Sequence, residues 1–167
     1  MGVIERRGEL VDAAATRALG VAIGSAAVAG DVIALDGELG VGKTAMTRGI
    51  AAGMGLEEGV VSSPTFTMVQ EYRADGGGLA LVHIDAYRLG GVDEVETIGW
   101  VEEGAELRRG AVVVVEWAEK IAGELPKDRL CVRLTHAGEG RGLWLGAELG
   151  SRWAGRLNAL MAAVSGV

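Results

Sequence analysis

A single cysteine, Cys131, is all the sequence holds, so an internal disulfide is excluded. It sits in the alternating run Leu130-Cys131-Val132-Arg133-Leu134 and reads as a small buried apolar residue rather than a reactive thiol. Aromatic residues make up only 4% of the chain, so the core must be built from aliphatic side chains and each of the four tryptophans stands out. Basic residues are in deficit, 16 Lys and Arg against 23 Asp and Glu, a net charge of −7. A domain that grips a nucleic-acid backbone alone carries a positive field, so autonomous DNA or RNA binding is not expected. A partner could still supply the basic surface. No apolar run reaches transmembrane length, and no positive, apolar, small-residue leader is visible, so a soluble cytoplasmic protein without a membrane partner is expected. Proline is scarce at two residues, whereas 28 glycines are scattered among apolar segments, where they mark turns and close backbone approaches.

What is present in 167 residues suits one domain, expected to span 1–167. Residues 9–29 carry Leu10, Ala14, Leu19, Ala22 and Ile23 at helical spacing. Val32-Ile33-Ala34-Leu35 reads as a buried strand, and Lys43 to Met54 as a helix. Ser62 to Thr65 is a loop. Phe66–Tyr72 and Leu79–Ile84 read as strands joined across Asp75 to Gly78, and residues 92–109 as two short helices. Ala111–Val115 is a wholly apolar strand. Arg129–Thr135 and Gly142–Leu145 read as a hairpin turning through Ala137 to Gly140. A closing amphipathic helix carries Trp153, Leu157, Leu160, Met161 and Val164 on one stripe. Together these predict an α/β fold, a three-layer P-loop NTPase-like sandwich on a mixed, mainly parallel sheet.

The segment Gly37-Glu38-Leu39-Gly40-Val41-Gly42-Lys43-Thr44 fills every fixed position of G-x-x-x-x-G-K-[ST]. An apolar strand precedes it and a helix follows. Gly40 and Gly42 let successive N–H groups turn inward around a phosphate, and the helix start aims unpaired N–H groups and a positive dipole end at the anion. Lys43 reaches the β and γ phosphates, and the Thr44 hydroxyl ligates Mg²⁺. The expected nucleotide contacts are Glu38, Leu39, Gly40, Val41, Gly42, Lys43, Thr44 and Ala45. A guanine-reading Asn-Lys-x-Asp loop is missing from the sequence, which favours ATP over GTP.

A phosphate loop of this kind also requires a carboxylate for the metal and a group that orients the nucleophile. Two apolar strands end in acids, Leu79 to Ile84 in Asp85 and Ala111 to Val115 in Glu116. The residues alone leave open which of the two holds metal. His83 lies two positions before Asp85, hence on the same strand face, and reads by default as structural. Trp117 follows Glu116 and reads by default as packing. Arg88 could pair with phosphate or with Glu116.

Four pieces, Gly37 to Thr44, Ser63-Pro64-Thr65-Phe66-Thr67, His83-Ile84-Asp85-Ala86-Tyr87-Arg88-Leu89 and Val115-Glu116-Trp117, resemble the TsaE family in that order and at fitting spacing, over roughly residues 10–145. The resemblance implies a bacterial P-loop ATPase needed to make N6-threonylcarbamoyladenosine in tRNAs that read codons starting with A. It implies TsaD and TsaB as partners that hold the transferase site, with tRNA met only indirectly through that complex. Carried over by position, Lys43 binds phosphate, Thr44 and Glu116 hold Mg²⁺, and Asp85 serves hydrolysis. Ser63 and Thr65 fall in a switch-like segment, and Trp117 matches a Trp important for activity. Thr16 and Arg141 match regions that approach the nucleotide. One departure is visible: Ser62 stands where many members have Lys. Two rivals share the phosphate loop. One is a small-molecule kinase, whose basic lid could draw only on the pair Arg108-Arg109. The other is a non-hydrolytic, nucleotide-dependent adaptor.

Overall fold

The structure, a computed structural model, describes residues 2–57, 59, 61–62, 68–89 and 92–165. Its strands are β1 (Val3–Leu10), β2 (Val32–Gly37), β3 (Val69–Tyr72), β4 (Ala80–Asp85), β5 (Ala111–Glu116), β6 (Leu130–Ala137) and β7 (Gly140–Glu148). The helices are α1 (Ala13–Ala26), α2 (Lys43–Gly53) and α3 (Leu157–Ser165). The strands form one sheet in the order β1-β7-β6-β2-β5-β4-β3. Strands β6, β2, β5 and β4 run parallel through its centre. The pairings β1 with β7, β7 with β6, and β3 with β4 are antiparallel. The expected mixed sheet is therefore present, with its parallel part at the centre.

Alternation along each central strand splits the apolar residues between two cores. Ile33, Leu35, Val112, Val114 and Leu81 face α1, α2 and α3. Val32, Ala34, Val113, Val115 and Ile84 face the other way, onto Val95, Trp100, Ile121 and Leu125. That second layer is built from 3-10 turns, Val92–Ile98, Glu102–Gly104 and Ala118–Glu124, rather than full helices. The result is the three-layer sandwich that the sequence predicted. Trp100 and Trp153, both fully buried, anchor one layer each. Each such burial contributes roughly 4–6 kcal/mol by the area removed from water.

Helices α1 and α2 approach more closely than ordinary side chains allow. A Cβ on Gly24 would stand 2.0 Å from the Ile50 carbonyl oxygen, and one on Gly53 would stand 2.2 Å from that of Val21. Gly20 and Gly49 meet the same contact. The four glycines sit four apart in pairs on facing stripes, so backbone packs on backbone. This contact sets the position of α2, whose first residue is Lys43.

Several predicted boundaries move. The helix expected over 9–29 is shorter, and β1 replaces its start. Core-side positions of β1 are held by Arg6 and Gly8, which hides the alternation; Gly8 lies under Met161, and Arg6 donates to Asn158. Asp12 then caps α1, its carboxylate accepting from the Ala15 N–H at 2.8 Å, a contact worth about 1 kcal/mol. The β6–β7 hairpin runs longer than expected and pairs Ala137 with Gly140 at its turn. Trp153 lies before α3, not on it. Phe66 and Thr67, expected at the start of β3, lie outside the described residues.

Candidate functional site

Strand β2 ends at the centre of the sheet, with β5 on one side and β6 on the other. In such a sheet the crevice beyond the carboxyl ends of the strands is where ligands bind. The chain leaves β2 through Gly37, whose φ of 151° brings it so near Leu134 and Val41 that a Cβ would clash with both. Gly42 closes the loop at φ 116° and caps α2. Only glycine holds such a conformation without strain. The loop and the start of α2 line one cavity of about 220 Å³. That cavity is walled by Leu39, Gly40, Gly42 to Ala45, Asp85, Glu116 and Trp117. It is smaller than the roughly 300–1,000 Å³ of pockets that enclose a whole ligand. Its size suits a phosphate chain, with the remainder of a ligand lying outside.

Parallel pairing of β4 with β5 sets Asp85 directly opposite Glu116 and His83 opposite Val114. The two acids and the histidine therefore share the face that carries α1 and α2. Glu116 is buried and uses both oxygens. Oε1 accepts from the Thr44 hydroxyl at 3.2 Å, and Oε2 lies 2.9 Å from Nε2 of the fully buried His83. Asp85 is half-buried, and its Oδ1 accepts from the Tyr87 N–H at 2.9 Å.

Lys43 is buried, and its ammonium donates to the carbonyls of Gly37 and Glu38, the latter at 2.9 Å. It also lies 4.2 Å from the centroid of the Trp117 ring. Trp117 adopts a left-handed conformation, φ 57° and ψ 38°, which is uncommon for a bulky residue and clusters at functional sites. Its ring also meets Tyr87 at a centroid separation of 5.0 Å.

The electrostatics of the site are unbalanced. Burial holds the Lys43 ammonium below its ordinary pKa, against the opposing pull of Glu116 and Asp85. Burial pushes the Asp85 carboxyl up, and the neighbouring Glu116 adds to that rise while the Tyr87 N–H opposes it. Asp36, just behind the loop, is likewise raised by burial. A polyanion and a divalent cation would relieve both kinds of strain.

The predicted residues divide into two groups. Leu39, Gly40, Gly42, Lys43, Thr44, Ala45, Asp85, Glu116 and Trp117 meet in the cavity. Glu38, Val41, Thr16 and Arg141 support the loop without walling that cavity. Glu38 offers its carbonyl to Lys43. Val41 is buried against Gly37. Thr16 lies beneath Gly42, with its hydroxyl 3.4 Å from the Asp12 carbonyl. Arg141 clasps the loop from outside, Nε donating to the Val41 carbonyl at 2.7 Å. Ser63 and Thr65 lie outside the described residues. The contact from His83 to Glu116 was missed in the sequence. The only signal was a His-x-Asp spacing, and the partner lies across a strand pairing that the sequence does not state. Cys131 is half-buried and its thiol is pushed up by burial, as an unreactive cysteine should be. It lies in a larger groove of about 370 Å³ on the opposite face of the sheet, away from the loop.

Comparison with known proteins places the chain in a family. The family profile described as "Threonylcarbamoyl adenosine biosynthesis protein TsaE" matches residues 10–143. The chain is 43% identical over 122 residues to the Streptomyces coelicolor protein named tRNA threonylcarbamoyladenosine biosynthesis protein TsaE, covering 72% of this chain and 79% of that one. It is 40% identical over 124 residues to the Bacillus subtilis protein of the same name, covering 74% and 73%. A crystal structure of Bacillus subtilis YdiB superposes with a TM-score of 0.68 at 31% identity, covering 99% of this chain and 97% of that one. The match spans the phosphate loop, both strand-end acids and Trp117, and the chain belongs to the TsaE family of threonylcarbamoyladenosine biosynthesis proteins.

Proposed function

We propose that this chain binds Mg²⁺–ATP in the phosphate loop, hydrolyses it, and so supports a TsaD–TsaB complex that modifies tRNA. The observation that carries the proposal is the approach of Thr44 Oγ1 to Glu116 Oε1, 3.2 Å apart at the mouth of the loop. Neighbouring ligands of an octahedral Mg²⁺ at about 2.0–2.1 Å stand about 3 Å from each other. A hydroxyl and a carboxylate at that spacing fit two adjacent positions. Thr44 and Glu116 would hold the ion, which when bound neutralises charge on the β and γ phosphates.

The rest of the work falls to the chain. Gly40, Gly42 and the start of α2 offer N–H groups to the phosphates. Lys43 exchanges the carbonyls of Gly37 and Glu38 for phosphate oxygens, which are stronger acceptors because they are charged. Asp85 is opposite Glu116 and more exposed, so it is the acid placed to orient the attacking water and take its proton.

Dependence on a partner is supported by the rim. Leu39, which lines the cavity, is 83% exposed, and Tyr87, which packs on the cavity-lining Trp117, is 55% exposed, so apolar surface is left open beside the site. The net charge of −7 favours a protein surface over tRNA as the direct contact. The kinase alternative lacks support in the placement of its candidate lid. Arg108 donates to the Gly30 carbonyl, beyond the end of β2 opposite the loop, and Arg109 pairs with Glu106.

The test is ATP turnover by the purified chain, alone and titrated with TsaD and TsaB. Turnover is expected to rise with the partners and to vanish in Lys43→Ala. Binding of ATP without hydrolysis in the full complex would instead establish the adaptor reading. Phosphorylation of a metabolite pool would establish the kinase. Salt-sensitive tRNA binding by the isolated chain would contradict the indirect role for tRNA.

A further inference from the structure

His83 is fully buried, yet only half of its hydrogen-bonding capacity is used. Nε2 lies 2.9 Å from Glu116 Oε2, whereas Nδ1 is sealed from solvent with no hydrogen-bond partner among the described residues. A buried polar atom left unpaired costs roughly 1–3 kcal/mol. Leu81 and Val114, on the same sheet face, show that the surroundings accept an aliphatic side chain. Packing alone would be served better by leucine. The cost has to be offset by the one bond the ring does make.

That bond is directional. An ionised carboxylate only accepts, so Nε2 carries the proton and Nδ1 is the bare nitrogen. The N–H holds one oxygen of Glu116 and leaves the other turned toward Thr44. A buried carboxylate freed of this donor would turn away from Thr44. Lys43 lines the same cavity, with its charge favoured by Glu116. A Glu116 that turned away from Thr44 would cost the metal a ligand, while Lys43 would stay with the phosphates.

Resting on the Mg²⁺–nucleotide reading above, we propose that His83 is the positioning residue for Glu116: its Nε2–H locks the carboxylate in the orientation that ligates the metal with Thr44. His83 touches neither metal nor nucleotide. It acts through Glu116, as outer partners of metal ligands do, and loss of such partners typically weakens metal binding about 10–100-fold.

The experiment compares His83→Leu, which fills the space without a donor, with His83→Gln, whose amide N–H can stand near the position of Nε2. Binding of a fluorescent ATP analogue is measured in EDTA and across a Mg²⁺ titration, and thermal melts report folding. In His83→Leu, affinity in EDTA should stay within about twofold of wild type while the Mg²⁺ midpoint rises 10–100-fold. His83→Gln should recover most of that loss. In the ligand-free chain, ¹⁵N–¹H NMR should find His83 protonated at Nε2 and bare at Nδ1. Should His83→Leu fail to fold, His83→Gln is set against His83→Asn, whose shorter amide cannot reach Glu116, and only the glutamine should keep the wild-type midpoint. A wild-type midpoint in His83→Leu, or equal losses with and without Mg²⁺, would overturn the positioning role and leave the nucleotide reading standing. A wild-type chain whose nucleotide affinity ignores Mg²⁺ would overturn both.

Discussion

The ammonium of Lys43 rests over the face of Trp117, 4.2 Å from the ring centroid, while it donates to the carbonyls of Gly37 and Glu38. These partners are weaker than a triphosphate, so nucleotide binding should draw Lys43 away and change the surroundings of the indole. Intrinsic fluorescence should therefore respond to ATP. Trp117→Phe should abolish the response, because Trp100 and Trp153 are buried in the two cores and Trp144 lies along β7, with its N–H donating to Glu5. A response that survives in Trp117→Phe would mean that the signal comes from elsewhere. Lys43→Ala should lower ATP affinity by at least about 1.4 kcal/mol, a factor of ten, by isothermal titration.

The two strand-end acids should separate in their effects. Glu116→Gln keeps a carbonyl toward Thr44 but gives up the charge, so it should weaken Mg²⁺-dependent nucleotide binding. Asp85→Asn keeps the acceptor for the Tyr87 N–H, so it should bind Mg²⁺–nucleotide nearly as wild type and lose turnover, by about 10²–10⁴-fold if Asp85 acts as the base. Binding and single-turnover assays on the pair decide the matter. If only Asp85→Asn shifts the Mg²⁺ dependence, the roles are reversed.

Burial raises the Asp85 and Asp36 carboxyls above their ordinary pKa. A group raised in the folded state contributes stability that is full below its unfolded pKa and is lost as pH rises through the folded value. Each ionised aspartate thus costs stability at neutral pH. Asp85→Asn and Asp36→Asn should melt higher than wild type at pH 7, and the gain should shrink as pH falls into the carboxyl range. Thermal melts from pH 4 to 8 test this, and a gain that grows toward acid would contradict the sign. Lys43 is lowered by burial, so its contribution is full above its unfolded value and is lost as pH falls through the folded one. The buried charges of this site thus cost the fold stability.

Gly24→Ala tests the backbone contact between α1 and α2. In an open helix interior the change would stabilise by roughly 0.5–1 kcal/mol. Here the new methyl would meet the Ile50 carbonyl oxygen at 2.0 Å, and backbone cannot rotate aside. The clash should win, with a net loss of about 1–3 kcal/mol, or about 2–4 °C in melting temperature per kcal/mol. Gly155→Ala, with open space around it, should be nearly neutral. Loss of ATP affinity in Gly24→Ala beyond its unfolded fraction would show that this contact also seats Lys43.

The sequence by itself determined the local chemistry. Gly37 to Thr44 read as a phosphate loop because its pattern is contiguous, and Gly37 and Gly42 answer to a backbone need in the fold. The strands ending in Asp85 and Glu116 were legible because wholly apolar runs end in an acid. Strand β1 was not legible, since Arg6 and Gly8 occupy its core side and the edge pairing with β7 supplies what the alternation lacks. The 3-10 layer over Trp100 and the glycine contact between α1 and α2 were hidden for a related reason: both depend on how closely distant segments approach. Only the tertiary structure decided what each acid faces. The register of β4 against β5 set Asp85 opposite Glu116 and turned Glu116 between Thr44 and His83. Pairing of β7 with β6 and β1 likewise made Arg141 a clasp on Val41, although the two are a hundred residues apart. Spacing along a chain fixes which face a side chain takes, whereas its partner is fixed by pairing across the sheet, and that pairing exists only once the chain has folded.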